Sequence, residues 1–457
     1  MAVHNNFFQL GIANDKIMRG KQFHTIISRE IIKPSNPTPS NLNTYILSEL
    51  DIIAGKIYAA IILLYPNNGS GSLTAQDKAN VLKKSLSESL TRFYPFAGRL
   101  AAHTTPYIDC NDEGVVFLES KIDCKLDEFQ LNSELDEHPE RYFADNMVAY
   151  NSPHNTSLFG FQLNHFACGG MAIAVSMSHL ISDGCTLGLF LNHWASVTRY
   201  GSLDHKEVLP FRPSFIHSLR SNSILSHAPV INQEHNNHVT RIFVFPNSKL
   251  SDLKNKVSAT INNPTRVEVL TSLIYKTAVA AATTNSGSFK PSYLHLAINI
   301  RDKFVEKLPQ TTVGTLASIM MVPTSHISQT SLDTLVAEIK KEKLRFKRIQ
   351  SVQEAAENMK SLISKLIYQD LENRPKSYGF SSLCGYSFNK VDFGWGKPMA
   401  TASAFRPLAK NNFMLLETPD GNGIEAHVVL DKEDMEIFQN DKEMVSFCQT
   451  NNFKSRL

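Results

Sequence analysis

The sequence predicts a mixed α/β protein of two domains, and three observations lead there. The chain has 457 residues, of which 42% are hydrophobic and 19% charged, which is ample for a large core and long enough for two or three domains. Both halves mix stretches of period-two alternation with helical stripes. Between the halves, residues 206–238 are polar, rich in Pro, Ser, Asn and His, and weakly periodic. Inside a compact chain such a stretch reads as an inter-domain crossover. The expected division is therefore 1–205, the crossover 206–238, and 239–457.

In the first half, residues 1–25 read as a polar leader, and the core begins near Ile31-Ile32-Lys33-Pro34. Leu82, Leu86, Leu90 and Phe93 form a stripe that predicts a helix over Val81–Phe93, ending before Tyr94-Pro95. Strands are expected at Phe159–Leu163 and Ile173–His179. In the latter, Ile173, Val175, Met177 and His179 share one phase and face inward. The turn Ser182-Asp183-Gly184 follows, then a helix over Thr186–Val197 with Leu187, Phe190, Leu191 and Trp194 on one face.

The second half opens with a strand at Val239–Phe245 and a helix at Val267–Ala280. A strand is expected at Leu294–Arg301, with Leu294, Leu296, Ile298 and Ile300 on one face and His295, Asn299 and Arg301 on the other. Amphipathic helices are expected at Leu332–Phe346 and Val352–Leu371. Strands and turns around Phe380–Phe393 and Asn412–Leu430 close the domain, the last strand opened by the turn Asp420-Gly421-Asn422-Gly423.

Composition excludes several function classes. The net charge of +3 is too mild for a nucleic-acid binder, and no basic block carries interleaved aromatics. Six scattered cysteines with no C-x-x-C pair argue against a zinc site or a disulfide framework and fit a reducing compartment. The longest apolar run, Ile57 to Tyr65, is nine residues, too short to span a bilayer. The N-terminus lacks the apolar core of a signal peptide and the pattern of a transit peptide. The expectation is a cytoplasmic monomer without membrane or nucleic-acid partners, with the Asn-x-Ser/Thr sites at Asn68 and Asn155 unused.

The chemistry concentrates at His179. It ends an inward-facing strand at a strand-to-helix junction, where a buried general base can face a cavity. The spacing His-x-x-x-Asp also occurs at His427 and Asp431, and with 16 histidines about one chance match is expected. His427 falls inside a hairpin strand with Glu425 and Val429 on its face, and reads as an ordinary strand histidine. An alcohol is a poor nucleophile near neutral pH, so a base must take its proton as attack proceeds. No G-x-S-x-G elbow, phosphate loop or dinucleotide fingerprint is present. Direct attack by an acceptor on an activated acyl donor, without a covalent acyl-enzyme, is the simplest scheme. Asp183 either orients the imidazole or turns away to pair with a buried cation. The pairing is preferred, with Arg301 as partner, because Arg301 sits on the polar face of an apolar strand. Asp392-Phe393-Gly394-Trp395-Gly396 reads as a tight turn with an aromatic anchor, a supporting element.

Together, His179-x-x-x-Asp183-Gly184 and Asp392-Phe393-Gly394-Trp395-Gly396 resemble the plant BAHD acyl-CoA-dependent acyltransferases in order and separation. Matching stretches include Leu47-Ser48-x-x-Asp51, Phe93-Tyr94-Pro95-Phe96-Ala97-Gly98-Arg99-Leu100, Asn164-x-Phe166-x-Cys168-Gly169-Gly170, Asn299-x-Arg301 and Gly423-Ile424-Glu425-Ala426. The texture is closest to the alkaloid-acylating branch, and the resemblance covers nearly the whole chain from about residue 26. It implies two chloramphenicol-acetyltransferase-like domains with a channel between them, in which acyl-CoA and an acceptor alcohol meet at His179. It also implies an Asp183–Arg301 pair and a structural Asp392–Gly396 loop. Acetyl-CoA is the expected co-substrate, with no bound cofactor or metal; malonyl-CoA, an aromatic acyl-CoA or an amine acceptor are alternatives. Thr265 and Arg266 align loosely with CoA-contacting positions, and His427 stands where it would shape or fill the acyl pocket. The chain departs from the family at Ser382-Leu383-Cys384-Gly385-Tyr386, where a Trp-Cys-Arg-like stretch is usual. A catalytically silent binding protein or a hydrolase on the same scaffold are the rival readings.

Overall fold

The computed structural model describes residues 24–449 except 56, 70–72, 102–105, 128–156, 202–237, 348, 368–374 and 404–409. Two six-stranded sheets organise the chain. The first runs His24–Ile32, Val115–Ile122, Phe159–Phe166, Met171–Ser178, Tyr58–Tyr65 and Ala400–Ser403. Its neighbours are antiparallel except the parallel pair Val115–Ile122 and Phe159–Phe166. The second runs Ala317–Thr324, Ser292–Asn299, Lys376–Ser382, Asn412–Glu417, Gly423–Asp431 and His238–Pro246. A small sheet of Thr44–Ile46, Tyr107–Asp109 and Arg99–Ala101 stands apart.

Each large sheet buries one face under helices. Helices Ala75–Arg92 and Gly184–Tyr200 cover the first, and Leu82, Leu86 and Leu90 meet Phe161, Phe190 and Trp194 in one core. Helices Arg266–Ser286 and Leu332–Arg345 cover the second, where Leu270, Leu273 and Ile339 pack with Leu294, Tyr378 and Phe413. Burial of such side chains contributes roughly 1.5–3 kcal/mol each before entropy is charged against it. The strand Ala400–Ser403 lies far along the chain yet pairs with Tyr58–Tyr65 of the first sheet. Val313, also from the second half, is buried in the first core.

Several boundaries differ from the expected ones for local reasons. The helix expected from Val81 begins at Ala75, because Thr74 and Asp77 form a capping box that opens a polar first turn with no apolar stripe. The helix at Asn247–Val257 was not anticipated. The strand expected over Leu294–Arg301 stops at Asn299, where the Asn299 side chain accepts from the Arg301 amide and turns the chain. The strand near Phe380 ends at Ser382 and gives way to a short 3-10 turn at Phe388–Lys390. The first strand already runs from His24, inside the expected leader. Residues 1–23, Asn155, all of the expected crossover but His238, and the end of the expected Val352–Leu371 helix beyond Ile367 lie outside the described residues. Among the described residues no helix is long and apolar enough to cross a membrane.

Candidate active site

The strand Met171–Ser178 delivers His179 into a turn, and Asp183 then caps the helix Gly184–Tyr200 by accepting from the Thr186 amide at 2.8 Å. The His179 backbone is held on both sides. Its amide donates to the Ile57 carbonyl at 2.8 Å, and its carbonyl accepts from the Thr315 hydroxyl. Its Nδ1 lies 2.9 Å from the Ser182 carbonyl oxygen. A carbonyl can only accept, so Nδ1 carries the proton and Nε2 carries the lone pair. Nε2 makes no hydrogen bond among the described residues, and the side chain is partly exposed. Desolvation lowers the imidazole pKa below the ordinary 6.5, and this outweighs the Asp183 charge and the Ser182 bond, which raise it. The ring is therefore neutral at physiological pH, with a basic nitrogen available.

Asp183 does not serve the imidazole directly. Its Oδ2 accepts from Arg301 Nη1 at 2.7 Å and from the Leu316 amide at 3.1 Å. Its Oδ1 accepts from Arg301 Nη2 at 3.1 Å as well as from Thr186. Arg301 is fully buried, and its remaining donors reach the Thr312 carbonyl, Asn299 Oδ1, Thr186 Oγ1 and the Gly314 carbonyl. Burial alone would raise the Asp183 pKa, but the Arg301 charge and these bonds hold it below its ordinary value. This is a bidentate, fully satisfied ion pair joining the two sheets' territories. Of the two sequence readings of Asp183, the structure displays the pairing.

Residues missed by sequence reasoning complete the arrangement. The loop Thr312–Leu316 runs between the halves and touches Arg301, Thr186, Asp183, His179 and Asp51. Gly314 has φ of +131°, a conformation open to glycine alone. Asp51, the last residue of Leu47-Ser48-x-x-Asp51, is buried and accepts from the Thr315 amide at 2.8 Å. Gly184 and Gly188 also matter. A Cβ on Gly184 would lie 2.6 Å from Leu383 Cδ2, and one on Gly188 would lie 2.6 Å from the Tyr386 carbonyl oxygen. Leu383 and Tyr386 of the departing stretch thus pack directly on the helix that Asp183 caps.

The other expected site residues sit elsewhere. In the Asp392–Gly396 loop, Asp392 Oδ1 accepts from the amides of Gly394 and Gly396 at 2.8 and 3.0 Å. Phe393 is buried edge-on to Trp194, and Trp395 stacks on Phe393. The loop's contacts are with the first core, just before the strand Ala400–Ser403. Thr265 caps the helix Arg266–Ser286, its hydroxyl accepting from the Glu268 amide. Arg266 donates to Asn247 Oδ1 at 2.6 Å and lies 3.8 Å from Glu417. His427 is buried mid-strand between Met414 and Ile242, with Nε2 4.0 Å from Glu425. None of these contacts involves His179. Among the described residues no group of His, Cys, Asp and Glu is arranged to hold a metal ion.

Comparison with known proteins finds relatives over most of the chain. The Transferase family matches residues 24–445. Deacetylvindoline O-acetyltransferase of Catharanthus roseus is 33% identical, over 92% of this chain and 97% of its own. The 17,18-epoxy-17-hydroxycur-19-ene N-malonyltransferase of Strychnos nux-vomica is 32% identical, over 93% and 90%. The crystal structure of vinorine synthase superposes with a TM-score of 0.76 at 26% identity, covering 94% of this chain and 100% of that one.

Proposed function

Because the chain belongs to the Transferase family, the BAHD acyl-CoA-dependent acyltransferases, we propose that it transfers an acetyl group from acetyl-CoA to a hydroxyl of an alkaloid-type metabolite, with His179 as the base. The observation that carries this reading is the His179 ring, which has Nδ1 committed to the Ser182 carbonyl and Nε2 left basic. The acceptor O–H gives its proton to Nε2 as its oxygen attacks the thioester carbonyl. The tetrahedral intermediate collapses, the C–S bond breaks, and the proton on Nε2 passes to the departing CoA thiolate. The Ser182 carbonyl, accepting from Nδ1–H, steadies the transient imidazolium. Asp183 and Arg301 are positioning residues in this scheme: they fix the turn that carries His179.

The acetyl donor and O-acylation rest on deacetylvindoline O-acetyltransferase. A malonyl donor with an amine acceptor is the second reading, supported by an almost equally similar N-malonyltransferase. We assign the Asp392–Gly396 loop to structural support, Thr265 and Arg266 to CoA contact at a helix N-terminus, and His427 to the acyl pocket. The same reading keeps the division at 1–205, 206–238 and 239–457, with Ala400–Ser403 exchanged into the first sheet, and makes the protein a cytoplasmic monomer.

A free-thiol assay of CoA release tests it, with acetyl-, malonyl- and benzoyl-CoA against hydroxylated and amine-bearing indole alkaloids. Release that requires both acetyl-CoA and a hydroxylated acceptor is expected. Release without acceptor would make the protein a thioesterase. CoA binding without release from any pair would make it a binding protein.

A further inference from the structure

We infer that Asp51 and Thr315 form a second positioning device for His179, acting through its backbone carbonyl and distinct from the Asp183–Arg301 pair. The inference rests on His179 being the base. Asp51 lies in the first turn of the short helix Glu49–Ala54, and both carboxylate oxygens are engaged. Oδ2 accepts from the Ser48 amide at 2.8 Å and the Ser48 hydroxyl at 2.7 Å, and Oδ1 accepts from the Thr315 amide at 2.8 Å. Thr315 is buried, and its hydroxyl donates to the His179 carbonyl oxygen. The His179 amide is fixed from the other side by Ile57, which follows the Asp51 helix and leads into the strand Tyr58–Tyr65.

The two devices grip adjacent atoms of one loop. Asp51 takes the amide of Thr315 and Asp183 takes the amide of Leu316, so two buried carboxylates from the first half hold consecutive N–H groups from the second. Asp183 sets the cap and the helix that follow the imidazole. Asp51 sets Thr315, and Thr315 sets the peptide that bears it. A carboxylate fits this position because one group must accept from three donors, two on one side and one on the other. Asparagine would set an NH2 against the Ser48 amide or the Thr315 amide.

The test is steady-state kinetics on purified full-length Thr315→Val, Thr315→Ser, Asp51→Asn, Asp51→Asn/Thr315→Val and His179→Ala proteins, each checked by thermal melting. Thr315→Val removes the hydroxyl at constant shape. It should lower kcat on the order of tenfold to a hundredfold, as slight misplacement of a reacting group does, while KM for both substrates stays within about twofold. Thr315→Ser, which keeps the hydroxyl, should restore most of kcat. The double variant should fall little below the worse single one, because both substitutions cut the same chain. Wild-type kcat in Thr315→Val, failure of serine to rescue, or effects of Asp51→Asn and Thr315→Val that simply multiply would overturn the inference. If His179→Ala is inactive while the Thr315 and Asp51 variants are unimpaired, only this inference fails. If His179→Ala is active, the base assignment fails first.

Discussion

His179 and His427 open the same His-x-x-x-Asp spacing, and the fold uses the two in opposite ways. His179 follows the end of a strand, where a turn lets Nδ1 find a carbonyl three residues on and leaves Nε2 open. His427 lies inside the strand Gly423–Asp431, paired on both sides, with its ring 4.0 Å from Glu425. The two aspartates differ as much. Asp183 meets Arg301 with side chains 7% and 0% exposed, whereas Asp431 meets Lys410 with side chains 28% and 48% exposed. A four-residue spacing therefore says nothing by itself. What matters is whether the chain turns between the two residues and whether the carboxylate is desolvated.

Substitutions should widen or erase that contrast. The largest effect is expected for His179→Ala, with kcat reduced roughly 10²–10⁴-fold and the melting temperature retained, while His427→Ala keeps turnover. A loss of turnover in both would remove the distinction. Next come Asp183→Ala and Arg301→Ala. Each strands a buried charge, so a loss of about 3–5 kcal/mol is expected in denaturant titration, with activity falling alongside.

The pH dependence sharpens the comparison further. The acid limb of kcat/KM should lie below pH 6.5, because His179 must be neutral and burial lowers its pKa. A limb above 6.5 would mean that charge, not desolvation, governs the ring. Asp183 has a folded pKa below its unfolded value, so its contribution to stability is present above the unfolded pKa and fades as pH falls through the folded one. Burial, with the nearby Asp183 charge acting in the same direction, raises Asp51 to about 6 despite its hydrogen bonds. The folded state then holds more protons between its ordinary 3.8 and about 6, so its contribution weakens as pH rises through that window. Asp51→Asn should flatten stability against pH there, and Asp183→Asn should flatten it at lower pH. Identical slopes in both variants would contradict the assignment.

Smaller effects are expected at the second spacing. His427→Ala should shift preference among acyl-CoA chain sizes, and unchanged preference would take it out of the acyl pocket. Asp431→Ala breaks a solvated pair and should cost about 0–1 kcal/mol, read by thermal melting.

Much of this was legible in the residues, and the limits have physical causes. Period-two alternation through Met177 located the His179 strand because the large Ile173, Val175 and Met177 share one face and the small Ala172, Ala174 and Ser176 the other, both faces being buried. The Asp183–Arg301 pairing could be anticipated because an arginine beside an apolar strand needs a counter-charge. The Thr312–Leu316 loop could not be anticipated, since its contacts are backbone groups with partners far away in sequence. Asp51 was hidden for the same reason. Its capping box with Ser48 is visible locally, but its bond to Thr315 crosses 264 positions. The pairing of Ala400–Ser403 with the first sheet was equally out of reach, because four residues carry no periodicity strong enough to choose a sheet.

The role of His179 as base is decided by acceptor-dependent release of free CoA from wild type and His179→Ala side by side, across pH. Wild type should release CoA under the control of one group titrating below 6.5, and a folded His179→Ala protein should lose that release. Undiminished release by the folded variant would contradict it.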